Sequence, residues 1–291
     1  MSAWMRFHEK PALAQARSLT RQRRRFERQA WLFQRTRGVA EERILAGGVP
    51  CLRLRPGGRA RGRLLYLHGG AYVMGSSRTH RPLARRLCAL TGLEVVVPDY
   101  RLAPEHPFPA AFEDAEAVCR SLGSDLPLLL GGDSAGGALC LALLSGLCVA
   151  GRPPRAAFAF SPWTDLTLTG GTLRSNARCE ALLPVERIAE VRDGYLCGAP
   201  ADDPRASPLF APFPACPPVL LQFAGTEILA DDTRRMAARL EAQGAQVTLE
   251  SWPDLPHVWQ ILHGWLPEAD DALEGVRRFL DRQFGAPETT R

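Results

Sequence analysis

Lysine is all but missing: Lys10 is the only one among 36 basic residues. Arginine carries the rest, a skew of composition rather than a sign of function. Long apolar runs are missing as well, and no stretch approaches the ~18 unbroken apolar residues that a membrane-spanning helix requires. A C-x-x-C pair is absent although there are eight cysteines, Cys51, Cys88, Cys119, Cys140, Cys148, Cys179, Cys197 and Cys216. Most of them sit in apolar segments, so a disulfide framework and a zinc site are both disfavoured, and buried core thiols are the plain reading. The opening residues, MSAWMRFHEK, lack an apolar run with a cleavage site, so no secretory signal is expected. Together with the cysteines, that favours a reducing, cytoplasmic setting. Internal repeats and low-complexity segments are absent too.

What is present is an ordinary globular composition: 291 residues, 46% hydrophobic and 23% charged. Charge is unevenly placed. Residues 1–37 hold ten basic residues against Glu9 and Glu27, a net of +8, which leaves −3 of the total +5 for the rest. Residues 11–37 read as a helix with Pro11 in its first turn. Leu19, Phe26 and Phe33 recur at seven-residue spacing on one face. Arg21, Arg23, Arg24, Arg25 and Arg28 fill much of the remainder, and a solvated face is preferred to a nucleic-acid or membrane patch.

Beyond residue 43 short strands alternate with helices. Strands are expected at Ile44–Leu45, Cys51–Leu54, Arg63–Leu67, Glu94–Val97, Leu126–Leu130 with Pro127 at its start, Ala156–Phe160, Val219–Phe223 and Gln246–Ser251. Helices are expected at Pro82–Thr91, Pro109–Leu122, Ala135–Ala150, Asp232–Gln243 and Glu268–Phe284. This pattern predicts a single α/β domain over 1–291 with a mostly parallel sheet and helices on both faces. Residues 166–205 interrupt it, with a helix expected from Pro184 to Tyr195. With residues 1–45 they are expected to form a small helical cap over a cleft.

Gly132-Asp133-Ser134-Ala135-Gly136 has the G-x-S-x-G form in its required context of buried strand, tight turn and helix. Such a turn leaves no room for side chains two positions either side of the serine, and it pushes the hydroxyl out over the end of the sheet. His68-Gly69-Gly70-Ala71 follows the strand at 63–67. Its glycines let backbone N–H groups approach a ligand oxygen, so Gly69, Gly70 and the Ala135 N–H are expected to form an oxyanion hole. His68 is read as structural and Asp133 as a loop anchor.

HGGAYVMGS and GDSAGG, with DYRLAPEHPFPAAFED between them, resemble the hormone-sensitive-lipase-like family of α/β-hydrolases. SPWTDL at 161–166, ASPLFA at 206–211, PPVLLQFAGTEILADD at 217–232 and LPHVWQ at 255–260 extend the resemblance to about residues 40–285. It lies nearest the bacterial acetyl-esterase and lactone-hydrolase branch. Many members carry a third glycine where this chain has Ala71.

In this fold the triad runs in the order serine, acid, histidine, which leaves only His257 and His263 late enough. The resemblance places the base at His257 and gives His263 no counterpart. His106 is expected to shape the cleft floor. The acid is expected on the turn after Val219–Phe223, where Glu227 comes first. Asp231 and Asp232 are read as starting the next helix, and Asp231 and Asp254 stay open as alternative acids. Many members have Asp at the acid position, so Glu227 is a departure. Glu105 and Asp165 are read as ties between cleft loops.

The resemblance implies a serine carboxylic-ester hydrolase working through Ser134, His257 and Glu227, without metal or organic cofactor. The expected partner is a small-molecule ester with a short acyl chain, not nucleic acid, and no membrane insertion is expected. A homodimer is compatible with the sequence. Lactone or amide hydrolysis, acyl transfer and a non-catalytic ligand receptor remain as other readings of the same site.

Overall fold

The parallel strands are continuous apolar runs because helices cover both faces of the sheet they form. The computed structural model describes residues 2–16, 18–29 and 36–284. Its eight strands are β1 Val39–Ala46, β2 Val49–Pro56, β3 Arg63–Leu67, β4 Glu94–Pro98, β5 Leu128–Asp133, β6 Ala156–Phe160, β7 Val219–Ala224 and β8 Val247–Trp252. They form one sheet in the order β1-β2-β4-β3-β5-β6-β7-β8. β2 runs antiparallel to β1 and β4, and all remaining neighbours are parallel. One face packs on helices Arg81–Thr91 and Pro267–Phe284 through Leu83, Leu87, Leu273, Val276 and Leu280. The other packs on Ala110–Ser121, Ser134–Val149 and Ala230–Ala242 through Ala115, Val118, Leu139, Met236 and Leu240. The chain is an α/β-hydrolase fold with a mostly parallel sheet.

The structure departs from the sequence reading in four places. β1 begins at Val39, not Ile44, so residues 39–45 belong to the sheet rather than to a cap segment 1–45. It is an edge strand whose Glu41, Glu42 and Arg43 face solvent, so it carries no apolar alternation to read. The helix expected over 11–37 is broken: it appears as Lys10–Ala14, with Pro11 in its first turn, and Leu19–Gln29. Phe33 lies outside the described residues. The arginine face is not all solvated either. Arg23 donates to the carbonyls of Val73 (2.7 Å) and Ala103 (2.8 Å) and pairs with Glu105 (2.8 Å), which docks the helix on the loops beyond β3 and β4. Finally, β5 starts at Leu128, one residue past Pro127, whose carbonyl still accepts from the Arg63 N–H at 2.8 Å. Among the described residues no helix is long and apolar enough to cross a membrane.

Candidate active site

β5 ends at Asp133, which is still extended, and the next helix begins at Ser134 with φ 52°. A left-handed non-glycine residue is strained, and it holds here because its surroundings leave no alternative. A Cβ on Gly132 would lie 2.4 Å from the Gly136 carbonyl oxygen, and one on Gly136 would lie 2.2 Å from those of Leu67 and His68. Only glycine therefore lets the turn close against the end of β3. The Ala135 N–H, in the helix's first turn, has no intrahelical acceptor.

His257 arrives from the loop after β8 and places Nε2 2.9 Å from Ser134 Oγ. Its Nδ1 lies 2.7 Å from Glu227 Oε2. A carboxylate can only accept, so Nδ1 carries the hydrogen and Nε2 presents a lone pair to the serine hydroxyl. Glu227 Oε1 accepts from the Ala224 N–H at 2.6 Å and from Ser161 Oγ at 2.8 Å. All three side chains of the chain Ser134–His257–Glu227 are buried. Burial alone would lower the His257 imidazole, but the hydrogen bond and charge of Glu227, with Glu180 behind it, hold it above its ordinary value. Burial also pushes the Glu227 carboxyl up, and its bond to His257 offsets only part of that.

The loop after β3 is anchored from beneath. Asp133, buried, accepts from Tyr66 Oη (2.8 Å), the Gly69 N–H (3.1 Å) and His80 Nε2 (3.3 Å). Burial opposes its ionisation, yet His80 and Tyr66 hold the carboxyl below its ordinary value. His68 stacks on Tyr100 with centroids 4.2 Å apart and donates from Nδ1 to the Gly69 carbonyl at 2.9 Å. Burial, with His80 beside it, drops His68 to about 4, so the ring is neutral at physiological pH. This corrects one expected oxyanion donor. The Gly69 N–H is already bonded to Asp133 and is not free for a ligand. Among the described residues the N–H groups of Gly70 and Ala71 meet no internal acceptor.

A family model described as the alpha/beta hydrolase fold matches residues 64–261. An acetyl-hydrolase of Streptomyces hygroscopicus is 40% identical over 237 residues, spanning 80% of this chain and 79% of that protein. An esterase of Acinetobacter venetianus is 34% identical over 256 residues, spanning 85% and 84%. The crystal structure of an esterase from the bacterial hormone-sensitive lipase family superposes with a TM-score of 0.90 at 39% identity, covering 98% of this chain and 97% of that one. The chain belongs to the hormone-sensitive-lipase-like family of α/β-hydrolases. With the family comes the enzyme class, a carboxylesterase-type hydrolase.

The hydrolase leaves the other candidate residues elsewhere. Asp231 Oδ2 accepts from the Thr172 N–H at 3.0 Å and does not reach His257. Asp232 Oδ2 accepts from the N–H groups of Thr164 and Asp165, both at 2.9 Å. Both stand in the first turn of the helix Ala230–Ala242, as expected, but neither side chain caps it; both tie the chain after β6 to that turn. Asp254 is exposed, and so is His106, which shapes no buried floor. His263 is buried, which lowers its imidazole, and it faces the helix at Arg81–Thr91. Asp165 holds its own turn through Thr169 and pairs with Arg235 at 2.7 Å.

Several supporting residues escaped the sequence reading. Ser161 sits at the exit of β6 in SPWTDL, and its place after a buried strand was the only signal it had. Asn176 Nδ2 donates to the carbonyls of Gly225 and Glu227, both at 2.8 Å. Glu180 Oε2 accepts from the Ile228 N–H at 3.0 Å. The N-terminal segment grips this stretch in turn. Lys10 Nζ donates to the carbonyls of Ala177 (2.9 Å) and Glu180 (3.0 Å), and Arg187 Nη1 to those of Ala14 and Ala16 at 3.0 and 3.1 Å.

Proposed function

We propose that the hydrolase cleaves short-acyl carboxylic esters of small alcohols, with Ser134 as nucleophile, His257 as base and acid, and Glu227 as the group that orients the imidazole. The continuous hydrogen-bonded chain from Ser134 Oγ through His257 to Glu227 carries this reading. His257 Nε2 takes the hydroxyl proton as Ser134 Oγ bonds to the ester carbonyl carbon. Glu227 holds the proton on Nδ1 and stabilises the imidazolium that forms. The developing oxyanion is bound by the N–H groups of Gly70, Ala71 and Ala135, with Ala71 standing in for Gly69. The imidazolium then protonates the departing alcohol, and water, deprotonated by His257, releases the acid from the acyl-enzyme.

The N-terminal segment and residues 166–205 act as the cap over this site, and their mutual hydrogen bonds support that grouping. They are short and largely polar, which suits a compact acyl pocket rather than a lid that opens onto oil. A series of chromogenic esters tests the reading. Acyl chains of about two to six carbons should be preferred, with a decline beyond about eight and no gain at an oil–water interface. Ser134→Ala should lower kcat on the order of 10³-fold or more with the fold intact. Near-wild-type turnover by that variant, or triglyceride emulsions hydrolysed as fast as short esters, would overturn it.

A further inference from the structure

Three buried aromatic side chains, each with a polar atom that has no partner among the described residues, cluster next to the loop that follows β3. Tyr72 and Tyr195 are 1% exposed and Trp163 is 3% exposed. Both tyrosine hydroxyls and the Trp163 Nε1 meet no hydrogen-bond partner among the described residues. Their rings form one cluster. Tyr72 and Tyr195 stack with centroids 3.8 Å apart and planes 4° from parallel, and Trp163 lies 6.5 Å from Tyr72. Phe108 closes the cluster edge-on, 5.8 Å from Tyr195.

The three residues come from three parts of the chain, and Trp163 links their cluster to Ser134. Tyr72 stands two residues beyond Gly70, on a turn where both Ala71 (φ 55°) and Tyr72 (φ 62°) are left-handed. Trp163 follows β6, and its backbone N–H donates to the Ser134 carbonyl at 3.1 Å. Tyr195 belongs to the helix Ile188–Leu196 of the insertion. Apolar rings would fill this volume without the desolvation cost that an unpaired hydroxyl or indole N–H carries. Strain in the backbone that delivers Tyr72 points the same way, since such strain gathers at ligand sites.

We infer that this aromatic box is a polar subsite for the acyl chain, selecting esters whose acyl part carries a neutral acceptor oxygen such as an ether, keto or hydroxyl group. Donors set that preference. The indole N–H can only donate, and burial pushes both tyrosine hydroxyls far above their ordinary range, so they keep their protons. A carboxylate is disfavoured because the nearby guanidinium, Arg205 over the Phe108 ring, is already tied to Asp203 at 2.7 Å. The acyl side follows from the chemistry: the leaving alcohol must sit beside His257 Nε2, and none of the box's elements carries that loop. The inference rests on the ester-hydrolase reading above.

An isosteric pair tests it. The p-nitrophenyl esters of pentanoate and 3-methoxypropanoate differ only in one oxygen for one methylene. Each kcat/KM is divided by the ester's hydroxide-catalysed rate. The wild-type protein should favour the oxygenated ester by about tenfold, since a site built to hydrogen-bond a substrate discriminates against the analogue that lacks the group. Tyr72→Phe and Tyr195→Phe, each checked by thermal melting, should bring that ratio to about one or invert it as the box turns apolar. A wild-type ratio at or below one, or a ratio unchanged in both variants, overturns the inference. So does a preference that follows oxygen placed in the alcohol part. Hydrolysis of pentanoate without oxygen preference removes only this inference, whereas hydrolysis of neither ester removes the underlying reading as well.

Discussion

Replacing Glu227 by glutamine tests the site through a single hydrogen. Oε1 of Glu227 accepts from the Ala224 N–H at 2.6 Å, a group that can only donate. The amide oxygen of Glu227→Gln must therefore stay at that position, and its NH₂ must face His257 Nδ1, 2.7 Å away in the wild type. Two N–H groups cannot face each other, so the imidazole shifts its hydrogen to Nε2. That nitrogen lies 2.9 Å from Ser134 Oγ and, in the proposed mechanism, is the one that has to accept the serine proton. A carboxylate-to-amide change that leaves a triad histidine in the wrong tautomer costs about 10²–10⁴ in kcat, or about 3–5 kcal/mol of transition-state stabilisation. The assay is steady-state hydrolysis of p-nitrophenyl butyrate, with Asp231→Asn beside it. Asp231 bonds to the Thr172 N–H at 3.0 Å instead of the imidazole. The second variant should keep kcat within about threefold, because its oxygen can still accept that bond. Glu227→Gln retaining a third or more of wild-type turnover, or Asp231→Asn losing as much as Glu227→Gln, would refute the reasoning.

Further outcomes follow from the same contacts. His257 is held above its ordinary value and must be neutral to accept a proton, so the acid limb of kcat/KM should be one ionisation with its midpoint above ~6.5; a profile flat down to about pH 5 would exclude a histidine base. Gly136→Ala places a Cβ 2.2 Å from two backbone oxygens that have no room to retreat, and urea unfolding should report a loss of about 3 kcal/mol or more. An unchanged urea midpoint would mean the elbow is not as tight as described. Burial raises the Asp232 carboxyl to about 8, against ~3.9 in an unfolded chain. Between those values the folded protein holds a proton that the unfolded chain has released, so this group's contribution to stability falls as pH rises. Asp232→Asn has no such titration, and its urea midpoint should gain on the wild type from pH 5 to pH 9; parallel curves would contradict the shift.

The α/β architecture is legible in the order of residues alone, because a strand buried on both faces must be an unbroken apolar run. β3 and β6 were readable to the residue, at Arg63–Leu67 and Ala156–Phe160. β1 was not, since an edge strand bearing Glu41, Glu42 and Arg43 has no such constraint. Ser134 was legible because its turn is local: the glycines two residues away on each side announce a bend that other residues cannot make. His257 was legible from chain order and from the loop that precedes the last helix. The sequence favoured Glu227 over Asp231 but left the second open. Both follow β7 within a few residues, and the difference lies in which one meets an imidazole 30 residues further along. The fate of the Gly69 N–H was likewise decided at a distance, by a carboxylate 64 residues away. Ser161 meets Glu227 across 66 residues, and Glu180 meets Ile228 across 48. Burial and backbone bends are written in neighbouring residues. The partner of a given N–H or carboxylate is set by segments that touch only once the sheet has brought them together.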